Sequence, residues 1–446
     1  MKKMIAVLSC TLAVISMSLS SFAMELLKNG SRGDDVKEVQ EILISQGYLD
    51  GGADGIFGRK TEAAVLAFQK ERGLDATGIV GEGTYRELKG GAAVQETDTA
   101  QAGEAAGGNI DYAEVFPSWN PESASLRELV EYVTASTDES GSGYIEPADR
   151  IATFDMDGTI LCEKAPVYID YCLTMHRVLD DPAYEAAEEE IDAMEQVRDH
   201  AYSEGETFHP ESGITKDVLV ASAFAGMTPE EFRAYVVDFA DTVDAVGFEG
   251  MTYGETFYKP MIEVIEYLKA NDFDVWMVSA CEREVVRALV EKFDIPYDHV
   301  IATDVPYIAS GKGDEAVDDY NMSKDEMILL GAPLDEVECG KSGKPAAIAR
   351  EIGKRPVLAF GNSSGDYSML NYAEGNEQYS GMGFFVVCDD TEREYGSDEK
   401  AADYYAKADE EGWTAISMAD DWKTIYGEGV KKTGLPGAEE AQEDAA

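Results

Sequence analysis

Apolar positions recur along this chain with two different periods. Val36, Val39, Ile42 and Leu43 fall on one face of a helix, and Val65, Leu66 and Phe68 mark a second short one. The stretch from about 25 to 90 therefore predicts a small all-α unit. Further on, Leu126, Leu129, Val130 and Val133 define one face of an amphipathic helix that Pro121 is expected to open. The pattern then changes to short unbroken apolar runs near Ile151, Phe273, Val300, Val357 and Phe384. Runs of this kind predict strands buried on both faces, hence an α/β unit with a parallel sheet between two helical layers. Between the first two runs lies a long helical stretch. It includes Thr228-Pro229-Glu230-Glu231, an N-cap followed by proline at the first helical position.

What lies between these patterns sets the domain limits. From 91 to 110 the chain is Ala, Gly, Glu, Gln and Thr without an apolar period, a linker composition, and from 427 to 446 it is acidic, rich in Gly and Ala, and expected to be disordered. Residues 1–23 begin with Lys2 and Lys3, run through an apolar stretch from Met4 to about Met17 and end in Ser21-Phe22-Ala23. That reads as a removable secretory signal, too short and too interrupted by serine to span a bilayer. It predicts a secreted protein with no membrane segment after cleavage. Cys10 leaves with the signal, and the five remaining cysteines form neither a disulfide frame nor a zinc pattern. With 36 Lys and Arg against 88 Asp and Glu, the formal net charge of -52 excludes nucleic acid as a partner.

Candidate chemistry begins where the run Ile151-Ala152-Thr153-Phe154 stops at Asp155-Met156-Asp157-Gly158-Thr159. Two carboxylates then stand at the tip of a buried strand, where open α/β sheets bind their ligands. Two acidic residues one apart, followed by a glycine that allows close backbone approach, suit a hard divalent cation and a carboxylate aimed at phosphorus. Three further stations follow in order. Phe273 to Ser279 is a strand ending in a hydroxyl that can donate to a phosphate oxygen. Gly343-Lys344-Pro345 opens a helix, placing the Lys344 ammonium where anions collect, with Lys341 a rival for that place. Val357 to Phe360 runs into Gly361-Asn362-Ser363-Ser364-Gly365-Asp366, making Asp366 a candidate third metal ligand.

These four stations resemble the four motifs of the haloacid-dehalogenase superfamily, over roughly Tyr144 to Tyr426. The resemblance implies a three-layer Rossmann-like core spanning 111–426, with the first strand central and a helical cap at about 162–255 that selects substrate. It also implies that Asp155 attacks a phosphoryl group and that Asp157 protonates the leaving oxygen and later activates water. Mg2+ would be held by Asp155, the Asp157 carbonyl and Asp366. Asn362 stands where many relatives carry an acidic residue, and an asparagine can still orient a metal-bound water. Ser279, Lys344, Thr159 and Gly158 are the expected phosphate-binding group. Phosphoserine phosphatases resemble the chain in cap placement, with Glu163 near their acidic residue as a possible substrate contact, although Ser279-Ala280-Cys281 replaces their Ser-Gly-Gly. His176 and His209 show no ligand spacing.

In the first unit a turn phrase recurs, Gly55-Ile56-Phe57-Gly58-Arg59-Lys60-Thr61 and Gly78-Ile79-Val80-Gly81-Glu82-Gly83-Thr84, each threonine placed to cap a helix. Together with Gly33-Asp34-Asp35-Val36, Gln40, Gly47-Tyr48 and Phe68-Gln69, it resembles the peptidoglycan-binding-like domain of bacterial wall enzymes. A calcium-loop reading of Asp50 to Thr61 fails because Thr61 occupies the closing position. The expectation is an Mg2+-dependent hydrolase of a small phosphomonoester, associated with the cell envelope by its peptidoglycan-binding unit. The alternatives are a phosphotransferase or phosphomutase with the same nucleophile, or an inactive wall-binding protein.

Overall fold

The computed structural model describes residues 27–28, 31–49, 52–53, 55–72, 80, 84–85, 88–89, 110–204, 216–313, 316, 319–331 and 339–436. They fall into two compact units divided near Gln101. The expected signal at 1–23, His209 and, apart from Ile110, the expected linker lie outside the described residues. Among the described residues no helix is long and apolar enough to cross a membrane.

The first unit is built on α1 (Asp34–Ser45) and α2 (Arg59–Arg72). Val36, Val39, Leu43, Val65 and Phe68 share its core with Leu27, Phe57 and Val80. The repeated threonines serve differently from expectation. Each accepts a hydrogen bond from a buried glutamine amide, Gln40 to Thr61 at 3.0 Å and Gln69 to Thr84 at 3.1 Å. Gln40 also donates to the Ile56 carbonyl and accepts from the Gly55 N–H, at 2.9 and 2.8 Å, so the turn is fixed from inside the core.

The second unit starts with α3 (Ala124–Thr137), one turn later than Pro121 because Ser123 takes the cap, its hydroxyl accepting from Leu126 N–H at 3.1 Å. Next come β1 (Ile151–Phe154) and a helical stretch of α4 (Ile169–Met175), a π-helical turn at His176–Asp180, α5 (Glu188–Glu204), α6 (Lys216–Phe224) and α7 (Pro229–Thr242). Thr228 caps α7 in a full capping box, as its sequence predicts. The chain continues through β2 (Phe248–Glu249), α8 (Lys259–Ala270), β3 (Asp274–Glu282), α9 (Arg283–Val290), β4 (Val300–Thr303) and a hairpin of β5 (Tyr307–Ala309) and β6 (Ile328–Leu330). It ends with α10 (Gly343–Glu351), β7 (Leu358–Gly361), α11 (Tyr367–Glu374), β8 (Met382–Val387), α12 (Asp398–Glu411), β9 (Thr414–Ser417) and β10 (Lys431–Lys432).

Six strands form one parallel sheet in the order β4-β3-β1-β7-β8-β9. Alternate side chains feed two cores: Phe384 and Val386 point to one face, Phe385 and Val387 to the other, and Leu358 and Phe360 oppose Ala359 in the same way. That is the three-layer arrangement the apolar runs predict. From β1 the chain first builds outward through β3 and β4, then returns to build β7, β8 and β9 on the other side. The reversal lies between β1 and β7, and a crevice opens at the strand tips of such a reversal.

Of the stretch 427–446 expected to be disordered, residues 427–436 are described and 437–446 lie outside the described residues. Lys431 and Lys432 pair antiparallel with Glu249 and Phe248, and the Tyr395 hydroxyl sits 2.8 Å from the Gly247 carbonyl and 2.6 Å from that of Thr433. Backbone pairing and this bridge order residues that composition alone assigns to solvent. Upstream, the Arg393 guanidinium donates to the carbonyls of Met418, Trp422 and Lys423 at 2.8, 3.0 and 3.1 Å, fastening the segment that carries the buried Trp413 and Trp422.

Next to it, the buried Glu394 carboxylate accepts from Tyr395 N–H at 2.7 Å, from the Tyr426 hydroxyl and from the Cys162 thiol at 3.8 Å. Burial pushes this carboxyl up to about 7 against those hydrogen bonds. A folded value above the unfolded one means that folding takes up a proton. The contribution is full below about pH 4.5 and is lost as pH rises through about 7, a swing of about 3 kcal/mol. Replacing Glu394 by Gln, which keeps the shape and an acceptor oxygen without the charge, is expected to raise the melting temperature relative to wild type more at pH 8 than at pH 5. A difference that does not vary with pH would show that Glu394 titrates alike folded and unfolded.

Candidate active site

The tips of β1 and β7 bring the predicted stations together. Phe154 and Phe360 stack at 4.2 Å, and Asp155 N–H donates to the Phe360 carbonyl at 3.0 Å, so Asp155 leaves the sheet beside the loop carrying Asn362 and Asp366. Lys344, near the start of α10, is buried to 2 % exposure, and its ammonium lies 2.5 Å from Asp155 Oδ1 and 2.7 Å from Asp366 Oδ1. A cation held between two buried carboxylates offsets both their repulsion and part of their desolvation. Burial and the Asp366 charge still push the Asp155 carboxyl up to about 7, while Lys344 pulls the other way. The Lys344 ammonium is itself held above its ordinary value by the two carboxylates, despite burial. The rival Lys341 has an exposed side chain and meets the site through its backbone, donating to the Gly365 carbonyl at 2.9 Å.

Asp366 is anchored on its other oxygen by the N–H groups of Asn362 and Ser363, both at 3.0 Å. With Lys344 on Oδ1, this carboxylate shapes the loop. Asn362 faces the opposite way: one polar atom of its amide lies 3.0 Å from the Asp157 carbonyl oxygen and 3.3 Å from Asp155 Oδ2. With nitrogen in that position the amide donates to both. With oxygen there, its 3.0 Å separation from the Asp157 carbonyl is that of neighbouring ligands of an octahedral cation with bonds of about 2.0–2.1 Å, and Asp155 Oδ2 lies somewhat farther off at 3.3 Å. Among the described residues no set of three His, Cys, Asp or Glu side chains is arranged to hold a metal. An all-oxygen set completed by an amide and a carbonyl fits a hard cation such as Mg2+.

The donors of Gly158 and Thr159, both expected in the phosphate-binding group, are engaged within the turn itself. Gly158 N–H donates to the Leu161 carbonyl at 2.7 Å, Thr159 N–H to the Met156 carbonyl at 3.1 Å, and the Thr159 hydroxyl to Asp155 Oδ2 at 3.2 Å. Gly158 sits at φ +80°, and a Cβ there would fall 1.9 Å from the Asn362 amide nitrogen. It supplies room and a left-handed turn. Ser279 is buried on β3, with the strand continuing past it to Glu282, and its hydroxyl accepts from Cys281 N–H at 3.1 Å. The β1–β3 register pairs Phe154 with Met277, which carries Ser279 just beyond the level of Asp155 at the same edge.

Glu163 is half-buried on the segment leaving β1 and accepts from the Tyr168 hydroxyl at 3.2 Å. Burial pushes its carboxyl up, Lys164, Tyr168 and Lys400 pull it down, and Asp366 pushes it up again. Lys400, on α12 far along the chain, acts on Glu163 through its charge, a neighbour that carries no sequence signal. His176 lies beside the rings of Tyr235 and Phe239, a packing environment.

A parallel sheet with two aspartates at the tip of its central strand, a lysine on the first of them and an Asn/Asp loop at the neighbouring tip defines a class of α/β hydrolases. Residues 152–371 match the family described as haloacid dehalogenase-like hydrolase, and residues 32–88 match the family described as "Putative peptidoglycan binding domain". The chain thus carries a haloacid dehalogenase-like hydrolase domain behind a peptidoglycan-binding-type domain. The spore cortex-lytic enzyme of Bacillus subtilis is 39% identical over 72 residues, 16% of this chain and 24% of that one. With the Bacillus cereus enzyme matched over 34% of its length, the chain spans about a quarter to a third of these curated relatives. A Bordetella pertussis Tohama I protein of unknown function aligns with a TM-score of 0.38 and 16% identity, covering 60% of this chain and 97% of that one. A phosphoserine phosphohydrolase-like protein from Francisella tularensis aligns with a TM-score of 0.31 and 15% identity, covering 53% and 87%.

Proposed function

We propose that this protein is an exported, Mg2+-dependent phosphomonoesterase held at peptidoglycan by its N-terminal unit. The observation that carries the reading is the Lys344 ammonium shared between Asp155 and Asp366, with Asp157 beside them at the edge where the sheet reverses. In this reading the Asp155 carboxylate attacks phosphorus as the bond to the leaving oxygen breaks, and Asp157 gives that oxygen its proton. Asp157 then takes a proton from water, which releases phosphate and restores Asp155. Lys344 and Ser279 stabilise the charge on the phosphoryl oxygens. Asp155, the Asp157 carbonyl and the Asn362 side-chain oxygen would hold the ion, which supplies further positive charge to the phosphoryl group when bound. Asp366 fixes the Asn362 backbone and Lys344. The wall tether rests on the match of residues 32–88 and on similarity to the spore cortex-lytic enzymes.

The test is phosphate release from a panel of phosphomonoesters with Mg2+ and with chelator, together with co-sedimentation of the full chain with purified peptidoglycan. Metal-dependent release and sedimentation are expected. Sedimentation without release from any substrate would leave a wall-binding protein, and transfer to added alcohols in preference to water would make it a phosphotransferase.

A further inference from the structure

Resting on that phosphatase reading, we infer that Thr303, at the tip of β4, is a positioning residue whose hydroxyl fixes the spacing between Ser279 and Lys344. The hydroxyl is held in both directions. It donates to the Ala280 carbonyl at 2.9 Å and accepts from Cys339 N–H at 3.1 Å. Ala280 follows Ser279 directly, and Cys339 opens the turn that leads into α10 and Lys344. Thr303 is 4 % exposed, so neither bond competes with solvent.

Both ends of this bridge carry a phosphate-binding candidate on irregular backbone. The β3–β4 register passes from Val278 opposite Ile301 to Glu282 opposite Thr303, four residues on β3 against two on β4. Ser279, Ala280 and Cys281 therefore bulge from the ladder, and bulges beside active sites re-aim a side chain. Two hydroxyls hold the bulge: that of Ser279 accepts from Cys281 N–H at 3.1 Å, and that of Thr303 donates to the Ala280 carbonyl. At the other end, Gly343 N–H closes a turn on the Gly340 carbonyl at 2.8 Å, and Lys341 N–H donates to the Gly365 carbonyl at 2.9 Å. These bonds shape the turn and join it to the Asp366 loop. Thr303 adds the bond that ties it to the Ser279 side of the sheet.

Thr303 itself sits on a fixed support. The Arg283 guanidinium, buried at the start of α9, donates to the two oxygens of Asp304 at 2.5 and 2.9 Å and to the Ala302 carbonyl at 3.4 Å, the residues on either side of Thr303. It also meets Glu351, the last residue of α10, at 3.2 Å. The helix that carries Lys344 is thus joined to the β4 tip from both sides. Packing alone would be served by valine, which has the shape of threonine. What the hydroxyl adds is a donor and an acceptor on one atom. Groups aimed at a phosphoryl oxygen stabilise its charge most when they are held in place beforehand.

The experiment compares the full chain with Thr303→Val and Thr303→Ser, using Thr303→Ala should the Val variant not fold. kcat and KM for p-nitrophenyl phosphate with Mg2+ are read well below the melting temperature of every variant. Orthovanadate, which mimics the trigonal-bipyramidal phosphorus of the transition state, is titrated by calorimetry. Thr303→Val is expected to lower kcat about tenfold with KM unchanged, less than the roughly 10²–10³ that deleting one such donor costs. Vanadate affinity should fall by the same factor, and Thr303→Ser should restore both. An unchanged kcat in Thr303→Val beside a lowered melting temperature would make Thr303 a structural residue only. Equal losses in Val and Ser would assign the effect to side-chain volume, and either result overturns the inference. If wild type releases no phosphate, the phosphatase reading falls and vanadate decides. A loss of affinity restored by Ser keeps the bridge, whereas equal affinity, or no binding to any form, overturns it.

Discussion

Replacing Asp155 by Asn is expected to lower phosphate release by about four orders of magnitude or more, because an amide cannot form the aspartyl-phosphate on which turnover depends. The fold should tolerate the change. Asp155 lies in a buried pair with Asp366, and burial together with that neighbour pushes its carboxyl up to about 7. Removing its charge relieves repulsion while Lys344 keeps Asp366, 2.7 Å away, as a partner. The melting temperature should therefore hold or rise as activity vanishes, which separates a chemical loss from a structural one. Asp157→Asn provides the complementary experiment. Because Asp157 also protonates the leaving oxygen, the trap uses a substrate whose leaving group needs no proton, p-nitrophenyl phosphate. From it, without a carboxylate to activate water, the phosphorylated enzyme should accumulate and be seen in intact mass as one added phosphoryl group, cleaved by hydroxylamine. Full turnover in Asp155→Asn, or no trapped species in Asp157→Asn, would remove Asp155 as nucleophile.

The strands that carry the site were legible because a parallel strand between helical layers must be apolar on both sides. Ile151 to Phe154 and Leu358 to Gly361 are buried throughout, and their sequences leave no other reading. β9, Thr414–Ser417, escaped because it closes one edge of the sheet, where its first two residues are only half-buried and need not be strongly apolar. That Asp155, Lys344, Asn362 and Asp366 come together was foreseeable for a related reason: carboxylates, lysine and glycine at strand and helix ends stand out against apolar runs. Which oxygen faces which partner was not. The commitment of Gly158 and Thr159 to the turn, the saturation of Asp366 and the approach of Asn362 to Asp155 depend on loop geometry at ångström scale. No spacing rule fixes that geometry. Lys400 illustrates the same limit over a longer range, since only the return of α12 from the tip of β8 lets its charge act on Glu163.

Lys344→Met is expected to be the most damaging single substitution in the molecule. It replaces a buried ammonium by a side chain of similar length and leaves Asp155 and Asp366 facing each other without compensation. Removing one partner of a buried ion pair costs about 3–5 kcal/mol, far more than the pair is worth against an apolar replacement of all its members. A sizeable drop in melting temperature should accompany loss of activity. The discriminating experiment is the double variant Lys344→Met/Asp366→Asn, which removes the second carboxylate along with the cation. If Lys344 acts structurally by screening the two acids, the double variant should regain most of the lost stability, since the uncompensated charge is gone while the Asn362 and Ser363 N–H groups still find an oxygen at position 366. Activity should not return, because the ammonium is also the donor that the phosphoryl oxygens need. Equal melting temperatures for the single and double variants would mean that Asp155 and Asp366 do not repel in the folded protein, and the 2.5 and 2.7 Å contacts of Lys344 would then reflect packing more than charge.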